Sequence, residues 1–165
     1  MIALNIPEVK MFMAKLFTQT TFDSFLLHEM EIQTFTNFTI TGQFNDAYFT
    51  KEELEERGEN KFIIWSEIRT IAFSIIKGSK TPLSLKIVFQ LPEKLVETLV
   101  QRSGERLHIE EIGGLYLNVR FEKGELHIIT GTAIKTFTMD KTLEQEWDKE
   151  VKNLLQEQGI PFEEQ

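Results

Sequence analysis

Between Phe62 and Leu91 the hydrophobic period of the chain changes from that of a helix to that of a strand, and a fold must bury both on one core. Ile68, Ile71, Ala72, Ile75 and Ile76 fall at the i, i+3, i+4, i+7, i+8 spacing of one helical stripe. The pattern predicts a helix from Ser66 to Lys77. Ser66 would accept from the first-turn amides, Glu67 would sit at the positive end of the dipole, and Lys77 and Gly78 would close the last turn. After a turn over Ser79 to Pro82 the period becomes 2. Leu83, Leu85, Ile87, Phe89 and Leu91 alternate with Ser84, Lys86, Val88 and Gln90, as in a strand with one buried face.

The same two periods recur along the chain. Met1 to Ile6 reads as a strand, and Pro7 opens a helix whose stripe is Val9, Phe12, Met13, Leu16 and Phe17. Leu26, His28, Met30 and Ile32 alternate with Glu29, Glu31 and Gln33, and Phe38, Ile40 and Phe44 continue the alternation in a second strand, which predicts an antiparallel pair. Thr50 to Glu59 begins with a Thr-x-x-Glu capping box but offers only Leu54 to a core. It reads as a short solvated helix, with an acidic docking surface as the functional alternative. Lys61 to Trp65 reads as a short strand. Pro92, the stripe Leu95, Val96, Leu99 and Val100, and Gly104 mark a further helix, whereas 107–114 is ambiguous.

Leu115, Leu117, Val119 and Phe121 lead through Lys123-Gly124 into Leu126, Ile128 and Thr130. A two-residue turn there sets Phe121 opposite Leu126, Val119 opposite Ile128 and Leu117 opposite Thr130. A slip of one residue would bring Phe121 against Glu125. Ala133 to Thr138 reads as a third strand of this meander. Thr142 with Gln145 forms a second capping box before a terminal helix lined by Leu143, Trp147, Val151, Leu154 and Leu155 and ending near Gly159. The order predicts a single α+β domain spanning 1–165, with a mainly antiparallel sheet, helices packed on one face and a C-terminal helix.

Composition narrows the chemistry. The 165 residues contain no cysteine, which removes thiol nucleophiles, disulfides and cysteine-ligated metals. The N-terminal residues lack a signal-peptide pattern, and no apolar run approaches the length of a membrane span, so a cytoplasmic, soluble protein without membrane partners is expected. A formal charge of −8 disfavours nonspecific association with nucleic acid or anionic lipid by the surface as a whole.

The segments TFDSFLLHEMEIQTFTNFTITGQFN, KGSKTPLSLKIVFQL, GGLYLNVRFEKGELHIITGTAIKTFT and DKTLEQEWDKEV together resemble a family of uncharacterised proteins from clostridia and related bacteria, a domain of unknown function. The resemblance runs over nearly the whole chain. It implies a cytoplasmic bacterial protein, and it carries no activity and no functional residues.

Candidate sites are therefore distinguished by their chemistry alone. His28, His108 and His127 share no ligand spacing. His28 lies on the apolar face of its strand pattern, where a hydrogen-bonded core histidine is the simpler account, and His108 sits in an acidic loop. The hairpin register sets His127 opposite Arg120 on a face with Tyr116 and Asn118, a set able to bind an anion or do acid–base work if a pocket encloses it. Thr130-Gly131-Thr132 and Gly113-Gly114 lack phosphate-loop spacing, and no serine lies in a nucleophile elbow. No cofactor motif occurs and no cofactor is expected.

One further pattern concerns basic residues. Lys10 and Lys15 lie on a helix whose only acid is Glu8, and Arg69 and Lys77 on a helix whose only acid is Glu67, in a chain with 26 acidic and 18 basic residues. Each helix follows a strand pattern and leads to another, a recurrence similar to a domain of a DNA sliding clamp, with duplex DNA as the corresponding partner. The simpler account is that each helix places its acid at the positive end of its dipole. The leading expectation is a noncatalytic interaction module acting on another macromolecule, with homo-oligomerisation open. The alternatives are a clamp-like nucleic-acid-associated protein and a small-anion binder or enzyme at the Tyr116 face.

Overall fold

The computed structural model describes residues 1–58, 60–78 and 80–165; the predicted roles of Glu59 and Ser79 lie outside the described residues. Among the described residues seven strands form one antiparallel sheet: β1 (Ala3–Asn5), β2 (Leu26–Gln33), β3 (Asn37–Thr41), β4 (Ser84–Gln90), β5 (Ile112–Glu122), β6 (Glu125–Ile134) and β7 (Glu163–Glu164), in the order β3-β2-β4-β5-β6-β1-β7. Five α-helices accompany it among the described residues: α1 (Val9–Phe17), α2 (Lys51–Arg57), α3 (Trp65–Ile76), α4 (Glu93–Arg102) and α5 (Thr142–Glu157). The α+β class and the C-terminal helix agree with the periodicity. The strand order does not follow chain order, because α1 carries the chain from β1 to β2 across four places of the sheet.

The core lies between one sheet face and the helices. Leu27, Met30 and Ile32 of β2, Leu85, Ile87 and Phe89 of β4, and Leu115, Leu117, Val119 and Phe121 of β5 join Leu126 and Ile128 of β6 and Leu4 of β1 in a single cluster. Phe12, Leu16 and Phe17 of α1, Trp65 and Ala72 of α3, Val96, Leu99 and Val100 of α4, and Leu143, Trp147, Val151 and Leu155 of α5 complete it. Phe89 is its aromatic centre: it stacks on Phe22 at 5.7 Å between ring centroids and meets Trp65 edge-on at 5.2 Å.

Several expectations need correction. The helix predicted from Ser66 starts at Trp65, with Ile64 as its cap residue. Glu67 reaches back to accept the Ile64 N–H at 3.0 Å, and Ser66 donates its own N–H to the Asp23 carbonyl instead. Of the predicted stripe Ala72 is buried and Ile68, Ile75 and Ile76 pack half-buried against the core, whereas Ile71 is 56% exposed; Trp65 joins the contact face, and its indole N–H donates to the Leu16 carbonyl on α1. Leu83 lies outside β4 and is 69% exposed, and Leu95 on α4 is also exposed. Pro92 caps α4 rather than opening it. No third meander strand follows β6: Lys135 to Lys141 form no strand, and the free side of β6 is taken by β1, with Ala3 opposite Ile129. The start of α5 is held by Asp140, whose Oδ1 accepts from both the N–H and the hydroxyl of Thr142, and not by a Thr142 capping box. The Thr50 capping box of α2 forms as predicted.

The β2–β3 region departs furthest from simple alternation. A bulge between Leu27 and Glu29 makes His28 the extra residue, so Leu27, not Leu26 or His28, continues the core face with Met30 and Ile32. β3 ends at Thr41. Beyond it the two strands part, and the expected Lys61–Trp65 strand becomes two isolated bridges, Gln43 with Phe62 and Leu26 with Ile64. Ile63 fills the gap, donating to the Gly42 carbonyl and accepting from Leu27 N–H, both at 2.8 Å. Gly42 is required there, since a Cβ on it would lie 1.5 Å from the Leu27 carbonyl oxygen.

Candidate functional site

The β5–β6 hairpin forms in the predicted register. Lys123 and Gly124 take positive φ of 53° and 78°, the conformation of a two-residue turn whose twist suits flanking strands. Arg120 consequently stands opposite His127, Asn118 opposite Ile129 and Tyr116 opposite Gly131, all on the sheet face away from the core. Across β4 the same face continues with Gln90 opposite Tyr116, Val88 opposite Asn118 and Lys86 opposite Arg120.

These side chains are differently engaged. Asn118 Nδ2 donates to the Ile129 carbonyl at 3.1 Å, a bond within the sheet. The Tyr116 ring lies over Gly114, where a Cβ would come within 2.7 Å of the phenol oxygen, and it meets the His28 ring edge-on at 5.7 Å. His28 also packs on Phe62 at 4.9 Å. His127 Nε2 lies 3.1 Å from Gln165 Nε2. Arg120 is exposed and makes no ion pair among the described residues, whereas its neighbour Lys86 pairs with Glu29 at 3.2 Å.

Sequence reasoning missed His28 and Gln90 on this face, where His28 Nδ1 and Gln90 Oε1 are buried without a partner among the described residues. The bulge moved His28 across the sheet, and the adjacent pair Leu26-Leu27, both buried, is its trace in the sequence. The face offers one unengaged guanidinium and a run of structural polar contacts. Two open clefts lie elsewhere: about 400 Å³ beside Phe137, Asp140 and Glu144, and about 420 Å³ beside Phe49, Arg57 and Glu67. Among the described residues no three His, Asp or Glu side chains are grouped as metal ligands.

The basic set divides in a similar way. α1 and α3 pack together, and Lys10 and Lys77 are exposed, Lys15 partly so. Arg69 is paired with Asp23, Nε to Oδ1 at 2.8 Å and Nη2 to Oδ2 at 3.3 Å, so its charge is offset where a phosphate would need it.

The two sheet edges contrast more sharply. β7 has only two residues, both glutamates, and a short charged edge resists pairing with another chain. β3 runs Asn-Phe-Thr-Ile-Thr without charge, proline or glycine. Gly42 N–H donates to the His28 carbonyl and Thr34 N–H to the Thr36 carbonyl, both at 2.9 Å, which fixes the phase of the ladder. Phe38 and Ile40 therefore turn their backbone groups toward β2, and Asn37, Thr39 and Thr41 turn theirs outward. Those outward groups have no backbone partner among the described residues.

No helix among the described residues is long and apolar enough to cross a membrane. Comparison with the curated proteins and with the solved structures gives no match. Comparison with protein families gives one over residues 15–163, to a family of unknown function designated DUF5721, and the chain belongs to that family.

Proposed function

We propose that this protein is a noncatalytic interaction module that binds an extended polypeptide segment by accepting it as a further strand on β3. The observation that carries the reading is the outward row of backbone N–H and C=O groups at Asn37, Thr39 and Thr41 on an uncharged edge of a chain with formal charge −8. Backbone bonds would supply the affinity. Phe38 and Ile40, half-buried against the core, would supply an apolar contact on one side of the added strand, and the threonines a polar one on the other. The engagement of Tyr116 and Asn118 within the sheet supports a structural role for that face over acid–base work.

The test is fluorescence anisotropy with a labelled peptide of alternating threonine and valine, flanked by lysines, titrated with the protein. Saturable binding is expected, weakened roughly tenfold or more by Thr39→Pro, which removes an outward N–H and leaves the β2 ladder bonds in place. No binding, or binding equal in the two proteins, overturns the proposal.

A further inference from the structure

We infer that the strand received by β3 is the β3 of a second copy of this chain, giving a two-fold symmetric dimer with one continuous fourteen-strand sheet, twice the seven of each copy. The inference rests on the strand-addition reading above and adds the identity of the partner.

A strand can pair antiparallel with itself about a two-fold axis only if a residue on the axis, or the midpoint between two residues, has outward backbone groups to share. The outward residues of β3 are Asn37, Thr39 and Thr41, so Thr39 is central among them. With the axis at Thr39, its N–H and C=O exchange with those of the other Thr39, and Asn37 exchanges with Thr41 on either side. All the outward groups of the strand are satisfied at once. An axis at Phe38 or Ile40 fails because their backbone groups already serve β2. An axis between two residues would set Phe38 against a threonine and put apolar and polar side chains on the same face.

The side chains agree with the central register. Phe38 comes opposite Ile40 of the other copy, so the apolar stripe Met30–Ile40 and Ile32–Phe38 runs unbroken from one core to the next. On the other face Thr39 meets Thr39 and Asn37 meets Thr41, pairs with hydroxyl and amide groups and no like charges, although each chain is strongly acidic. An interface built on one five-residue strand is small, so a reversible dimer with micromolar dissociation is expected rather than an obligate one.

Analytical ultracentrifugation across a micromolar concentration series tests this. The unmodified protein should shift reversibly from monomer to dimer. Thr39→Lys, which sets two cations on the axis, and Thr39→Pro should each raise the dissociation constant roughly tenfold or more, with circular dichroism spectra that remain folded. Because the chain has no cysteine, Thr39→Cys gives a unique reporter. The Cα separation across such a pair is about 5.5 Å and permits a disulfide, so mild oxidation should cross-link Thr39→Cys much faster than Thr98→Cys on the exposed side of α4. A monomer throughout, a dimer indifferent to both Thr39 substitutions, or equal cross-linking at the two cysteines overturns the inference. A monomer that still binds the threonine–valine peptide overturns the dimer alone and leaves strand addition standing; loss of both ends both.

Discussion

Phe89 and Gln90 are neighbours in the chain that the sheet assigns to opposite faces. Phe89 is fully buried among Phe22, Phe25 and Trp65, so Phe89→Ala should cost about 3 to 5 kcal/mol, read as a lower urea midpoint. Gln90→Ala removes a side chain whose Oε1 has no partner among the described residues and should stay within about 0.5 kcal/mol. Equal midpoint shifts would mean that the phase of β4 is wrong. At this scale the sequence was readable wherever burial alternated strictly, as in Leu115 to Ile128, and misleading wherever a single residue interrupted the alternation. His28 is the clearest case, because a bulge changes which face a side chain occupies without changing composition. Helix starts misled for another reason: the oxygens that hold them come from Glu67 and Asp140, and Ser66 and Thr142, whose side chains suit a cap, do not provide them.

Elements outside the core are secured by a few polar contacts, and α2 shows how. Arg57 in its last turn pairs with Glu67 on α3 and lies over the Phe44 and Phe49 rings at 5.1 and 4.4 Å, which ties the excursion to the body of the domain. Burial pushes the Glu67 carboxyl up, but the Arg57 guanidinium and the Ile64 N–H outweigh it and hold the group below the ordinary glutamate value. A carboxylate with a depressed folded value stabilises the fold in full above the unfolded value, and that contribution is lost as pH falls through the folded one. Glu67→Gln should therefore lower stability near neutral pH and flatten its decline on the acid side of the ordinary glutamate range. Thermal melts of both proteins from neutral to acid pH check this, and parallel acid limbs would refute it. The capping box of α2 was legible because it is local; its attachment through Arg57 and Glu67 was not, since nothing in the sequence says that these residues meet.

A single core shared by all the major helices implies that the molecule unfolds as one unit. Trp65 opens α3 and packs against α1, and Trp147 belongs to α5, where its indole N–H donates to the Tyr116 carbonyl at 2.9 Å, so the two report on different parts of that core. In Trp65→Phe and Trp147→Phe variants, the remaining tryptophan's fluorescence and the far-ultraviolet circular dichroism should give coincident urea transitions within each protein; separated transitions would reveal independent halves. Fold class was legible at this scale because the succession of periods sets it. Strand order was not, because the pairing of β1 with β6 joins segments at opposite ends of the sequence and depends on three residues of β1 that any neighbouring strand could have accepted. That pairing also has a consequence for synthesis. Ala3 must wait for Ile129, and at ordinary rates of translation the interval is on the order of ten seconds. Throughout it the nascent chain holds an apolar strand with no neighbour to join, so the ribosome exit and any chaperone stationed there meet β1 long before β6 does.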